Sequence, residues 1–211
     1  MKRTTLAALF FVSAVSAGCQ AAPAATVDHG ENLYNNYCHQ CHQDGAAGWA
    51  EVGAPSLAAL PEWYILEELG KFQNGIRGAH FDDLEGQRMR PMSKTIADET
   101  SSRAVAMYLS TLPAQVSAAT VHGDAAKGAQ LFTTCTACHG ADGKGNEQLG
   151  APTLLVQPDW YLVRQLGKFK SGVRGAHPKD VRGQQMRPMA MTLVDDQAVN
   201  DVISHVNTLR K

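Results

Sequence analysis

Cys38-His39-Gln40-Cys41-His42 and Cys135-Thr136-Ala137-Cys138-His139 are two copies of one pattern, Cys-x-x-Cys-His. One helical turn brings two such thiols and the imidazole after them to a single face. The pattern is the attachment signature of c-type haem: the thiols bond to the vinyl groups of a porphyrin, and the His reaches its iron. Three other readings compete. A disulfide oxidoreductase places one Cys-x-x-Cys beside a strand and has no need of the His. A zinc site built from two such pairs leaves about 15–20 residues between them, far fewer than separate Cys41 from Cys135. A structural disulfide leaves His42 and His139 unexplained. Two covalent haem c groups are therefore expected, held by Cys38, Cys41, His42, Cys135, Cys138 and His139.

Outward from the motifs, the chain repeats itself. Pro61-Glu62-Trp63-Tyr64 returns as Pro158-Asp159-Trp160-Tyr161 and Arg77-Gly78-Ala79-His80 as Arg174-Gly175-Ala176-His177. Met89-Arg90-Pro91-Met92 returns as Met186-Arg187-Pro188-Met189, always 97 positions on. Before the first Cys the register slips by one residue. Two repeats are too few for a solenoid, so this is a duplicated domain. The expected division is a leader over 1–25, a first domain over 26–113, a linker over 114–121 and a second domain over 122–211. Each copy reads as helices joined by long loops. A first helix runs into each first Cys, a second follows Trp63 or Trp160 with apolar residues at helical spacing, and a last begins at Asp98 or Asp195. No period-two strand pattern stands out, and the fold class is all-α.

These landmarks resemble the class I cytochromes c, specifically the tandem dihaem cytochrome c-four family, over nearly all of the chain after its leader. The resemblance implies that a carbonyl in a Pro-containing loop accepts a hydrogen bond from the haem-binding His. Gly53-Ala54-Pro55-Ser56-Leu57 and Gly150-Ala151-Pro152-Thr153-Leu154 match that loop, with Pro55 and Pro152 as acceptors. It also implies a helix crossing made by a glycine and an aromatic: Gly30 and Tyr34 with Tyr108, and Gly128 and Phe132 with His205 in the aromatic's place.

The sixth iron ligand falls in the Met-Arg-Pro-Met segments. In the family it precedes the apolar residue opening the last helix by seven positions. Ile96 and Leu193 hold that place and indicate Met89 and Met186, with Met92 and Met189 as alternatives. His80 and His177 are rivals because both recur. Arg77, Arg174, Arg90, Arg187, Trp63 and Trp160 are candidates to meet haem propionates, since Arg forks suit carboxylates.

At its start the chain carries Lys2 and Arg3, an apolar run from Leu6 to Val15, and then small residues. This is the layout of a secretory signal peptide, too short to span a bilayer. It implies a periplasmic protein with no transmembrane segment. Cys19 follows Ser16-Ala17-Gly18 and reads two ways: as the acylated first residue of a lipoprotein, or as part of a leader cleaved after Ala21, Ala22 or Ala25.

The formal net charge of −1 hides opposite halves. Residues 26–112 carry −6 and residues 122–211 carry +3, which suggests that the halves face different partners, with attraction speeding encounters. Nothing indicates nucleic-acid binding. An iron with six ligands leaves no open position for catalysis, so an electron carrier and not an enzyme is expected. By resemblance its donor is a quinol-oxidising complex or a dehydrogenase, and its acceptor an oxidase or reductase. A fixed haem subunit of a larger dehydrogenase or oxidase is the second reading, and a dihaem peroxidase the third.

Overall fold

The computed structural model describes residues 24–115 and 117–210. Cys19 and nearly all of the leader lie outside them. Among the described residues every regular element is helical, and extended backbone pairs only at two isolated bridges, Trp49 with Ala54 and Asn146 with Ala151.

The first half opens with α1 (Val27–Leu33), where Thr26 caps the helix by accepting the His29 N–H at 3.1 Å. It closes with α5 (Glu99–Thr111), capped by Asp98 through the Ser101 N–H at 2.8 Å. These two helices cross at Gly30. A β-carbon there would stand 1.9 Å from the Ala104 carbonyl oxygen, so the crossing requires glycine. Tyr34 meets Tyr108 one turn on, ring centroids 5.6 Å apart.

The register slip has a local cause. Tyr34–Cys38 forms a π turn, in which the His39 N–H reaches back five residues to the Tyr34 carbonyl. Such a turn takes up one additional residue within a continuing helix. Gly30 precedes Tyr34 by four residues, as Gly128 precedes Phe132, but Cys38 is four beyond Tyr34 where Cys135 is three beyond Phe132. The extra residue is absorbed in the π turn, and both motifs reach the same place in their halves.

α2 (His39–His42) carries the first motif and α3 (Glu62–Gln73) follows the proline loop. A further helix, α4 (Leu84–Lys94), contains Met89 to Met92 with Pro91 inside it. Sequence periodicity gave no helix here, because proline in a helix interior removes a hydrogen bond and clashes with the preceding turn. The start is nonetheless well made: Asp83 accepts the Gly86 N–H at 3.2 Å, and Gln87 donates back to the His80 and Phe81 carbonyls at 2.9 and 3.0 Å.

The second half repeats the plan. α6 (Ala125–Phe132) crosses α10 (Asp196–Leu209) at Gly128, where a β-carbon would lie 1.9 Å from the Asp201 oxygen, and Phe132 meets His205 at 5.2 Å. Between them lie α7 (Thr136–His139), α8 (Asp159–Ser171) and α9 (Val181–Met191). The end of the linker is fastened to this half, since Asp159 accepts hydrogen bonds from the Thr120 and Val121 backbone and from the Thr120 hydroxyl at 2.7–2.8 Å. Each half has its own apolar core.

The halves dock through α3 and α4 against α8 and α9 about an approximate two-fold. Lys71 pairs with Asp180 at 3.0 Å and its counterpart Lys168 with Asp83 at 2.5 Å. The next equivalent positions are Glu67 and Arg164, and Glu85 and Arg182. Arg164 binds Glu85 at 2.9 Å and Arg182 binds Glu67. The first half thus supplies both acids and the second both bases. Much of the opposite charge is therefore spent within the molecule: Glu67, Glu68, Asp83 and Glu85 all bind cations of the second half.

Candidate haem sites

In each half the α2 or α7 motif forms part of a wall around one large apolar cleft, about 1370 Å³ in the first half and 1300 Å³ in the second, open mouths included. Cys38, Cys41 and His42 line the first, and Cys135, Cys138 and His139 the second. The His42 ring donates its Nδ1–H to the Pro55 carbonyl at 2.9 Å, and His139 does the same to Pro152 at 2.9 Å. Both expected acceptors are thus in place. Burial lowers the pKa of each imidazole, and the bond to proline only partly opposes it. A neutral ring with Nδ1 engaged presents its Nε2 lone pair, the form in which His ligates metals.

Gly48 makes the proline loop's approach feasible, since a β-carbon there would sit 2.6 Å from the Pro55 carbonyl carbon and the Ser56 nitrogen. Gly145 stands likewise against Pro152 and Thr153. Among the described residues Cys38, Cys41, Cys135 and Cys138 form no disulfide. Burial, reinforced by Cys41, pushes the Cys38 thiol up to about 11, and burial raises Cys135 in the same sense. Redox-active Cys-x-x-Cys pairs need the opposite shift. Among the described residues no cluster of three His, Cys, Asp or Glu side chains suits a bare metal ion.

All four candidate methionines line the clefts, Met89 and Met92 in the first and Met186 and Met189 in the second. Met89 is half-buried against the first core, whereas Met92 and Met189 are 41% and 38% exposed. The rival histidines line neither cleft. His80 Nδ1 accepts the Asp82 N–H at 3.2 Å while its ring stacks on Phe81, and His177 Nδ1 accepts the Lys179 N–H at 3.1 Å. Their recurrence reflects loop geometry: Gly78 and Gly175 in the same segments abut the Gly86 and Gly183 carbonyls.

Of the arginines, Arg77 and Arg174 line the clefts, while Arg90 and Arg187 do not and pack along the glycine loops. Trp63 and Trp160 serve as platforms for Arg182 and Arg164, 5.1 and 5.0 Å from the ring centroids. Between the clefts stands a buried polar wall that sequence reading missed. Glu68 accepts from Arg77 and, at 2.9 Å, from Arg174; Gln165, its counterpart, accepts from both arginines at 3.0 Å. Tyr161 binds Arg77 at 3.0 Å. Burial would raise the Glu68 pKa, but Arg174, Arg77 and Lys71 outweigh it and hold the carboxyl well below its usual range. The repeated Arg-Gly-Ala segment was the available signal; pairing across the halves was not visible in it.

Two thiols and a ligand-ready imidazole on an apolar cleft, with methionine on the same cleft, fit one covalently attached haem c per half. The comparisons agree. A cytochrome c family model matches residues 125–210, and one for subunit III of cbb3-type cytochrome c oxidase matches residues 25–109. The chain is 33% identical over 182 residues to the thiosulfate dehydrogenase electron acceptor of Stutzerimonas stutzeri (strain A1501), covering 80% of this chain and 78% of that one. It is 34% identical over 176 residues to the cbb3-type oxidase subunit FixP of Bradyrhizobium diazoefficiens, covering 77% of this chain but 58% of that relative. Among solved structures, thiosulfate dehydrogenase from Marichromatium purpuratum matches with a TM-score of 0.68 at 25% identity, over 86% of this chain and 40% of that one. Reduced cytochrome c4 from Pseudomonas stutzeri shares the fold, with a TM-score of 0.66 at 24% identity over 87% of this chain and 98% of the other.

Proposed function

From the premise that this chain belongs to the class I c-type cytochromes, with two haem-binding domains in tandem, we propose that it relays single electrons between a periplasmic donor and a terminal oxidase or reductase. When bound, the haem supplies one-electron exchange between ferric and ferrous iron. The chain's own residues do the rest. Cys38 and Cys41, or Cys135 and Cys138, fix the group in place. His42 and His139 are held in one tautomer by Pro55 and Pro152, which orients the ring and raises its basicity as a ligand. Met89 and Met186 would hold the iron together with His42 and His139, and a neutral thioether ligand would favour the reduced state and raise the potential. The apolar lining keeps water from the cleft and lowers the local dielectric.

The observation carrying this reading is the pair of proline-anchored imidazoles, each on a methionine-lined cleft. With His42 and Met89, or His139 and Met186, holding the iron, the haem would exchange electrons without binding a substrate. The family relatives that accept electrons from thiosulfate dehydrogenase and the oxidase subunits make thiosulfate oxidation a suitable donor class and a cytochrome c oxidase a suitable acceptor. No described helix is long and apolar enough to cross a membrane. Mass spectrometry of the mature protein tests two points together: an added mass of two porphyrins is expected, and the N-terminal peptide separates acylated Cys19 from cleavage after Ala21, Ala22 or Ala25. A mature protein without porphyrin would end this reading.

A further inference from the structure

Gln157 breaks the repeat. Its counterpart in the first half, Leu60, is 3% exposed within that half's own core, and the neighbouring Ala59 N–H returns to the Leu109 carbonyl of the same half at 3.1 Å. The equivalent loop of the second half instead reaches across. Val156 packs against the first half's core, and Gln157, 6% exposed, donates its Nε2–H to the Ser56 carbonyl at 2.8 Å. Ser56 follows Pro55, the residue whose carbonyl holds the His42 ring. Gly48 supports this peptide from within the first half, and Gln157 fixes it from the second. Gln157 also lines both clefts, its Oε1 buried without a partner. The first half cannot reciprocate, because Leu60 has no donor to offer Thr153.

We propose that Gln157 is a positioning residue through which the second half tunes the first haem site, and that the first half has no equivalent residue holding the Pro152–Thr153 peptide. A hydrogen bond to the imidazole Nδ1–H strengthens the ring as an electron donor and stabilises ferric iron, and hydrogen bonds beyond the ligands are an established lever on potential. Clamping the Pro55–Ser56 backbone keeps the His42 bond short. Releasing it weakens that bond and moves the first couple to a more positive potential, leaving the second unchanged. The inference rests on the haem reading of the clefts.

The test uses the full dihaem protein with Gln157→Met, which keeps length without a donor, and Gln157→Leu, which installs the first half's own residue. Spectroelectrochemical titration reads both couples, and NMR of the reduced protein reads hydrogen exchange at the two proximal Nδ1–H groups. The expected result is a threefold to tenfold change in the equilibrium constant of one couple, up to about 59 mV for one electron, with faster exchange at His42 alone. Two unmoved couples, two couples moving together, or faster exchange at His139 would each overturn the assignment while leaving the haem reading intact. Wild-type protein lacking porphyrin would overturn both.

Discussion

Met89 and Met186 share their clefts with a second methionine three residues on, and these partners, Met92 and Met189, are 41% and 38% exposed. Replacing Met89 or Met186 by Ala is expected to remove half of the long-wavelength absorption diagnostic of sulfur–iron bonds in the oxidised protein. Met92→Ala and Met189→Ala leave it whole, and an optical spectrum of each variant checks this. Asp159 offers a second test at this scale. Burial alone would raise its pKa, but hydrogen bonds from Val121, Thr120 and Asn207 outweigh that and hold it at about 2. A carboxyl whose pKa falls on folding stabilises the folded state above its unfolded pKa, near 3.9, and that contribution fades as pH drops through the folded value. Asp159→Ala should therefore cost about 1–3 kcal/mol at neutral pH, with the gap between variant and wild type closing as pH falls from about 4 toward 2. Denaturant unfolding at several pH values measures it.

At the scale of elements, the crossings of α1 with α5 and of α6 with α10 set the frame of each half. Gly30→Ala and Gly128→Ala both force a methyl group onto a backbone carbonyl that cannot move as a side chain would. Overpacking of this kind costs about 1–3 kcal/mol or more, and lowered melting temperatures in thermal unfolding are expected for both. These glycines and the aromatics beyond them were legible through the family resemblance, and the structure gives the reason: the close crossing leaves no room for a β-carbon, and a spacing of four residues puts the aromatic on the same helix face. The α4 and α9 helices were not legible. Their proline argues against a helix locally, and what holds them is the fit of Gly86 and Gly183 onto the Gly78 and Gly175 loops, a contact between separate segments.

Across the whole molecule, the approximate two-fold is broken where charge decides pairing. Glu68 faces two buried arginines while Gln165 offers them only an amide oxygen. Removing the single buried anion from such a cluster is costly, about 3–5 kcal/mol, so Glu68→Gln should loosen the docking of the halves. Small-angle scattering and denaturant unfolding together would register an expanded, less stable molecule. The docking pairs also revise the picture of two polar halves. Four acids of the first half are committed internally, yet exposed acids such as Asp28, Glu31 and Glu51 remain free of the second half's cations. Reduction or oxidation by a basic partner through the first half should slow as ionic strength rises. Stopped-flow rates flat with salt would count against it.

By itself, the sequence determined what is local or periodic: the two attachment motifs, the duplication and the helical class. Each is read from short patterns whose geometry a helical turn fixes. The glycine crossings and the proline loops came through the family resemblance those patterns carry. Only the tertiary structure decided how the copies meet. The Glu68–Arg77–Arg174 wall, the exchanged acid and base positions and the reach of Gln157 to Ser56 join residues up to 115 positions apart. Such pairings follow from the docking of two folded surfaces, and no spacing along the chain encodes that.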